Sequence, residues 1–324
     1  MRPQNSLSRA EILDNCIKET GTKLDIPLYR GKVRDVYTLN DDTLGIVVSD
    51  RISAFDHIMK QPIPFKGQIL NQLAAFGFSN VEDIVKTHVI DIPHPNVMIA
   101  RACEPLPVEV VIRGYLAGHA WREYRDGKRT LSGAPMPEGM VQNQAFPEPL
   151  LTPATKAQEG HDEDISEDEI LEQELVSPQI WAVVRAKAFD LFERGQQLAN
   201  KQGLILVDTK YEFGLSNGEP ILIDEVHTTD SSRYFYRDGY EDRLQKGEPQ
   251  KQLSKEFLRE WLMENGFQGK EGQQLPDLPD DFRLEVFERY RELYNTLTGK
   301  KFEPTPIENI NSELEAVFAP YLEK

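Results

Sequence analysis

Three charged residues alternate with uncharged ones directly after a short apolar run. Residues 204–207 predict a buried strand, and Asp208, Lys210 and Glu212 follow at positions i, i+2 and i+4. Because successive side chains of an extended chain point to opposite faces, these three would share one face. Burying them together costs free energy unless they pair or bind a ligand. The spacing favours a functional cluster over a solvent-exposed hairpin with scattered charges.

A fourth carboxylate, Asp224, follows a turn and a second apolar run. The register of this predicted hairpin decides whether Asp224 meets Glu212. A two-residue Asn217-Gly218 turn would pair Glu212 with Ile223, whereas a three-residue loop with a bulge would pair Glu212 with Asp224. We expect only the second register to place both carboxylates on one side, as a Mg²⁺ site requires. The sequence leaves both registers open.

The order of these charged residues is similar to the catalytic loop of protein kinases and their metal-binding aspartate. However, the chain contains neither an HRD nor a DFG motif. It also lacks the GxxxxGK[ST] and GxGxxG patterns that bind phosphates through glycine-rich loops. Any nucleotide site must therefore hold phosphates by other means.

Several basic residues are candidates for binding anions. Lys32 and Arg34 would share one face of a strand beside a glycine, where they could orient a triphosphate or form an ordinary basic edge. Arg113 stands in an apolar segment, and a buried arginine usually has a bidentate partner. Lys156 and Arg233 lie in polar segments and fit either a phosphate contact or a solvated cation.

The histidines and cysteines give no metal pattern. Cys16 and Cys103 are far apart and form no CxxC pair, so neither a disulfide scaffold nor a structural zinc site is predicted. His161, Asp162 and His227 lack the paired spacing of zinc ligands.

The elements that must position these residues can be predicted from periodicity and turn signals. Apolar residues at helical spacing, with capping residues and glycine stops, predict helices at residues 8–20, 66–78, 177–203, 254–265 and 281–297. Short β-type runs predict strands at residues 33–37, 44–48, 109–112, 204–207 and 221–225. Prolines make residues 122–153 irregular, as in a functional or disordered loop.

Composition excludes some classes of function. The 324 residues contain 37 Lys and Arg against 54 Asp and Glu, a net charge of −17. Broad binding to nucleic acid or anionic membranes needs a cationic surface, so neither partner is expected. Residues 161–174 hold eight of the acidic residues, which favours a solvated face over a metal cluster. With no membrane span or targeting segment in evidence, a cytoplasmic location is expected.

Six segments in order resemble the SAICAR synthetase family. They include RGKVRDVYT, SDRISAFDH and LVDTKYEFGL, and they cover residues 30–38, 49–57, 106–120, 152–163, 206–215 and 224–234. The likeness spans about residues 28–259, and the length and C-terminal helices are more similar to the longer, fungal-type form. Six ordered blocks are far more specific than any one motif.

The resemblance implies an α+β fold, in which a small antiparallel sheet closes over ATP above a larger mixed α/β domain, as in kinases and ATP-grasp enzymes. The expected division is an ATP-capping domain at residues 1–108, a catalytic domain at 109–270 and a C-terminal helical extension at 271–324. The implied reaction is the ATP-dependent joining of L-aspartate to carboxyaminoimidazole ribonucleotide (CAIR) through an acyl phosphate.

The resemblance also implies roles for matching residues. Contacts with ATP would come from Lys32, Val33, Arg34, Lys156 and Glu212. Mg²⁺ would bind Glu212 and Asp224, and the imidazole carboxylate would lie beside the catalytic pair Asp208 and Lys210. The ribonucleotide substrate would meet Arg113, His119, Arg233, Ser53, Asp56 and Lys66.

One residue departs from the family pattern. After Arg113 that pattern commonly ends in Gly-Ser, whereas in this chain Gly118 is followed by His119. The imidazole would either donate to the substrate phosphate in place of the serine or leave that contact to another group.

Two other functions fit the same residues. One is a small-molecule kinase on this scaffold, and the other is a nucleotide-binding protein without catalysis. In each case the partners are small molecules, and the chain is expected to be a monomer or a small homo-oligomer.

Overall fold

The computed structural model describes residues 7–156 and 162–322, so His161 lies outside the described residues. The fold is mixed α/β with antiparallel sheets and C-terminal helices, which confirms the predicted class. It forms two compact units. The first contains Met1–Ala75, Val89–Ala102 and Glu256–Lys324, and the second contains Phe76–His88 and Cys103–Lys255.

The regular elements are numbered in chain order. The strands are β1 (Leu28–Arg30), β2 (Arg34–Asn40), β3 (Thr43–Val48), β4 (Ser53–Ala54), β5 (His57–Ile58), β6 (Val89–His94), β7 (Val97–Arg101), β8 (Glu104–Tyr115), β9 (Thr130–Leu131), β10 (Ala134–Pro135), β11 (Ala145–Leu151), β12 (Ala154–Thr155), β13 (Leu204–Ser216), β14 (Glu219–Ile223), β15 (Ser232–Tyr236) and β16 (Gln252–Leu253). The helices are α1 (Arg9–Asp14), α2 (Lys66–Ser79), α3 (Gly118–Arg125), α4 (Glu167–Glu172), α5 (Pro178–Lys201), α6 (Tyr240–Lys246), α7 (Glu256–Glu264), α8 (Asp280–Thr298) and α9 (Ile310–Leu322). Among the described residues, none of these helices has the length and apolar character needed to span a membrane.

Most predicted elements are present, with changed bounds. Helix α5 begins after Ser177, whose hydroxyl accepts from the Ile180 backbone amide as an N-cap. The opening helix is shorter than predicted, because α1 ends at Asp14. The segment that prolines were expected to keep irregular contains β9, β10 and β11, and the predicted strand at 109–112 is part of the 12-residue β8.

The first unit is organised by the sheet order β1-β2-β3-β7-β6. Helix α9 packs on this sheet, where the rings of Phe318 and Tyr37 have centroids 5.2 Å apart. Leu314 of the same helix lies in one buried cluster with Val47 and Ile99. The C-terminal helix therefore completes the core of the N-terminal sheet, and the units divide the chain at other points than the expected segments 1–108, 109–270 and 271–324.

The second unit is organised by the sheet order β11-β8-β13-β15-β16, with β12 pairing with β8 and β14 pairing with β13. Strand β13 is central and is buried from Leu204 to Thr209. Helix α5 packs against it through a stripe of apolar residues that includes Val184, Ala188 and Leu191. The strand with the alternating charges therefore lies at the centre of the unit, with neighbours on both edges.

Gly67 offers a test of packing in the first unit. A Cβ on Gly67 would lie 2.7 Å from Asn96 Nδ2 and closer still to the Val48 carbonyl oxygen, and the Gly67 amide donates to Asp50 Oδ1 at 2.7 Å. Because backbone must shift to admit a methyl group, Gly67→Ala should lower the free energy of unfolding by about 1–3 kcal/mol in urea denaturation. Gly21→Ala is the control, since its Cβ would be 3.9 Å from the nearest heavy atom. Equal stability of the two variants would refute this packing.

Candidate active site

Lys210 is the centre of a network of ion pairs on β13. Its Nζ donates to Glu109 Oε1 on β8 at 2.7 Å and also to Glu212 Oε1. Lys156 Nζ, after β12, donates to the other oxygen of Glu212. The side chain of Glu212 is only 9% exposed. We call Glu109, Lys156, Lys210 and Glu212 the lysine–glutamate cluster, and it confirms that Lys210 and Glu212 lie on one face.

Electrostatics keep Lys210 and Glu212 of this cluster ionised. Burial acts to lower the pKa of Lys210, but the carboxylates of Glu212, Glu109 and Asp224 outweigh it and hold that pKa well above its usual range. Burial acts to raise the pKa of Glu212, but Lys210 and Lys156 hold it far below normal. For Glu109 burial prevails and raises the pKa. Lys210 is therefore a fixed cation that can stabilise negative charge and is poorly suited to accept a proton.

The hairpin adopts the first of the two open registers. Glu212 pairs with Ile223, and the turn residues Asn217 and Gly218 have φ of 53° and 78°, as a tight two-residue turn requires. Asp224 nevertheless contributes its charge to Lys210. Its φ of 63° lies in the left-handed region, so the alternation of the strand ends at Ile223. A Mg²⁺ site shared by Glu212 and Asp224 stays a prediction.

The carboxylates fit a metal that also binds phosphate. Three carboxylates, from Glu109, Glu212 and Asp224, act on Lys210 against the two ammonium groups of Lys156 and Lys210. Within residues 7–156 and 162–322, no group of three or more His, Cys, Asp or Glu side chains is arranged to hold a metal by itself. Mg²⁺ takes only one or two carboxylates when phosphate oxygens complete its shell, so a site that also binds phosphate needs no larger cluster.

Two buried arginines share one carboxylate beside this cluster. Arg233 Nη1 donates to Asp208 Oδ2 at 2.6 Å, and Arg113 Nη1 lies 3.6 Å from the same oxygen. Both arginine side chains are 11% exposed. Arg113 Nε also donates to Thr152 Oγ1 at 2.8 Å. Two guanidinium groups against one carboxylate leave a net positive charge, which suits an anionic ligand.

The sheet register places these residues. On β8, Arg113 lies opposite Asp208 and Glu109 lies opposite Glu212. On β15, Arg233 lies opposite Asp208 from the other side. Asp208 is thus flanked by both arginines, and the pair Glu212 and Glu109 lies four residues away along β13 and β8. Burial acts to lower the pKa of Arg113, and the charge of Asp208 opposes that shift.

Helix α3 begins next to the arginine pair. Gly118 has φ of 55°, and a Cβ there would lie 2.5 Å from Arg233 Nη1, so only glycine fits against this guanidinium group. Ala117 precedes the helix and has no polar side chain with which to cap it. His119, the second residue of α3, contacts Asp164 Oδ2 through Nε2 at 2.8 Å. The predicted substrate residues Arg113, His119 and Arg233 are thus close together within the second unit.

The first unit contains the other predicted residues. Lys32 pairs with Asp56, and the Val33 carbonyl oxygen accepts from Ser49. Arg51 donates to the carbonyl oxygens of Gly31 and Lys32 and so fixes the turn before β2. Arg34 begins β2.

Two other predicted residues of this unit have different contacts. Ser53 pairs with Ile58 between β4 and β5. Lys66 has no exposed surface, and its ammonium lies 5.5 Å from the centre of the Tyr290 ring. A substrate contact for Ser53 or Lys66 stays a prediction.

Sequence reasoning missed four residues of these clusters: Arg51, Glu109, Thr152 and Asp164. Glu109 carried a usable signal, since it stands four residues before Arg113 in a β-type run and so shares its face. Asp164 carried none, because it lay within the acidic segment interpreted as a solvated face.

Comparison with known proteins agrees with this architecture. Residues 27–275 match the family described as SAICAR synthetase. The phosphoribosylaminoimidazole-succinocarboxamide synthase of Flavobacterium psychrophilum is 51% identical over 310 residues, covering 94% of this chain and 98% of the relative. The SAICAR synthase structure from Saccharomyces cerevisiae, complexed with SAICAR, has 36% identity and a TM-score of 0.75 over 88% of this chain and 99% of its own.

A third comparison concerns the nucleotide. A type-2 SAICAR synthetase in complex with ADP has 25% identity and a TM-score of 0.67, covering 86% of this chain and 100% of its own. The fold and the site together define the class of this protein, which is a two-unit α/β enzyme that uses a nucleotide phosphate. The chain belongs to the SAICAR synthetase family.

Proposed function

We propose that the lysine–glutamate cluster and the arginine pair carry out the reaction of this family. The chain is an ATP-dependent ligase of purine biosynthesis that condenses L-aspartate with CAIR. In the first step a CAIR carboxylate oxygen attacks the γ-phosphorus of ATP, which forms an acyl phosphate and releases ADP. The amine of aspartate then attacks the acyl carbon, loses a proton and expels phosphate, which leaves the amide.

ATP is assigned to the lysine–glutamate cluster of the second unit. Contacts of ATP with Lys32, Val33 and Arg34 of the first unit stay a prediction from the family resemblance. The ADP complex of a relative supports a nucleotide site in this fold. Lys156 donates to Glu212 in the structure, and a phosphate oxygen would give Lys156 a new acceptor. That exchange would free a Glu212 oxygen, so that Glu212 and Asp224 could hold Mg²⁺. When bound, the metal would neutralise charge on the phosphates being transferred.

CAIR is assigned to the arginine pair and Lys210. Arg113, Arg233 and His119 would bind its phosphate, with Asp208 holding both guanidinium groups in place. Lys210 stands two residues further along β13, about 7 Å away at the rise of a strand. As a fixed cation it would orient the imidazole carboxylate and stabilise the charge that develops as the acyl phosphate forms. Ser53, Asp56 and Lys66 are assigned to the substrate region as well.

One observation supports this assignment most directly. A single strand, β13, holds Asp208 against two arginines and, two residues on, Lys210 against two glutamates. The backbone of β13 therefore sets the distance between the proposed phosphate site at the arginine pair and the proposed metal site at the lysine–glutamate cluster. Such fixed spacing suits a reaction that joins a phosphorylated nucleotide to the γ-phosphate of ATP.

A coupled assay of ADP release tests the function. With Mg²⁺ present, we expect sustained ADP release only when ATP, CAIR and L-aspartate are all supplied, together with one succinocarboxamide per ADP by chromatography. Omission of aspartate should abolish sustained turnover. Sustained ADP release without aspartate, with a phosphorylated product, would instead indicate a small-molecule kinase. No turnover with all three would indicate a binding protein.

A further inference from the structure

His119 is held by a residue from outside its own helix. That residue is Asp164, which forms an antiparallel bridge with Ala154 of β12. Next to this bridge, the Thr155 amide donates to the Glu163 carbonyl oxygen at 2.8 Å. Strand β12 in turn pairs with β8, the strand that carries Arg113. The Asp164 backbone is therefore fixed to the same sheet as the arginine pair.

The hydrogen bond between Asp164 and His119 has a defined donor and acceptor. The hydrogen bond from His119 holds the pKa of Asp164 below its usual range, and the charges of Arg113 and Lys128 act in the same direction. An ionised carboxylate can only accept, so His119 Nε2 carries the hydrogen and donates to it. The other ring nitrogen, Nδ1, is thereby left as the atom available to a further ligand.

The neighbourhood of His119 is anion-binding. Gly118, the preceding residue, packs against the Arg233 guanidinium group, and both Arg233 and Arg113 share the single carboxylate of Asp208. A ring next to two buried guanidinium groups and the first turn of a helix is favourably placed for a phosphate.

We propose that Asp164 is a positioning residue that holds the His119 imidazole for the phosphate of the ribonucleotide substrate. This inference rests on the proposed function. Asp164 holds Nε2 of the ring at 2.8 Å, so the opposite edge of the imidazole is presented in a fixed orientation. His119 then adds a third side chain to the arginine pair, and Asp164 sets its orientation.

Asp164→Asn tests the proposal because it keeps the shape of the side chain and removes its charge. We expect the KM for CAIR to rise about tenfold, as for loss of a hydrogen bond between charged groups, with kcat and the KM values for ATP and aspartate within about twofold of the original. Ribose 5-phosphate, used as a competitive inhibitor, should weaken by a similar factor, because it carries the phosphate and lacks the imidazole. Glu163→Gln removes the neighbouring exposed carboxylate and is the matched control, for which no change is expected.

A double-substitution cycle separates positioning from a general effect of charge. In a His119→Ser background the imidazole is absent, so adding Asp164→Asn should raise the KM for CAIR no further. Additive effects, or an unchanged KM in Asp164→Asn alone, would overturn the role of Asp164. Either result would leave the proposed function intact if the unsubstituted enzyme still requires CAIR and aspartate for ADP release. Only loss of that requirement in the unsubstituted chain would overturn the proposed function.

Discussion

Glu212→Gln should lower kcat by about 10²–10³ with all substrates saturating. Glu212 contacts both Lys156 and Lys210, and it is assigned to the metal. A neutral amide cannot supply the charge that holds Mg²⁺ against the phosphates, and losses of this size follow removal of one preorganised electrostatic group. The measurement is steady-state ADP release across a Mg²⁺ titration, in which the variant should also need more Mg²⁺.

The control for this loss is Glu109→Gln. Glu109 also pairs with Lys210, so its substitution disturbs the same buried network. It is not assigned to the metal, and we expect a decrease of less than about tenfold with the Mg²⁺ requirement unchanged. Urea denaturation of both variants would show comparable stability. Undiminished turnover in Glu212→Gln, or equal losses in both variants, would be incompatible with the metal assignment.

Arg233→Lys should raise the KM for CAIR about a hundredfold while leaving the KM for ATP nearly unchanged. Arg233 is buried, bonds to Asp208 and packs against Gly118, so its planar guanidinium group fills a fixed space. A lysine keeps the charge but cannot present two parallel donors to Asp208 and a phosphate. Steady-state kinetics with CAIR varied at saturating ATP and aspartate give the comparison.

Arg237→Lys is the matched control for that substitution. Arg237 follows β15 in the same segment and is exposed. Its replacement should leave every KM within about twofold. If Arg233→Lys changed the KM for ATP as strongly as that for CAIR, the arginine pair would not be a site for the ribonucleotide phosphate alone.

The shared face of Lys210 and Glu212 was predictable because its signal is local. Alternation of Asp208, Lys210 and Glu212 after an apolar run defines a face without any knowledge of neighbouring strands. The partners were harder to find. Glu109 and Arg113 come opposite Glu212 and Asp208 only through the pairing of β8 with β13, which joins segments about a hundred residues apart.

Other differences between the predicted and the observed elements have local causes that hydrophobic periodicity does not reveal. The left-handed conformation of Asp224 ends the regular alternation of β14 at Ile223. Helix α9 contains Pro320, which argues against a helix when only the sequence is read, yet Pro320 lies in the last turn and removes a donor only there. Pro105 and Pro107 likewise obscured the first half of β8.

The packing of α9 on the first sheet has a consequence for the order of events during synthesis. The ribosome releases the second unit in full once Lys255 has emerged, so its sheet can form while the rest of the chain is still being made. The first unit must wait, since Tyr37 and Val47 meet Leu314 and Phe318 only after α9 has been made. Until then, the apolar face of the first-unit sheet that α9 covers is exposed on the nascent chain.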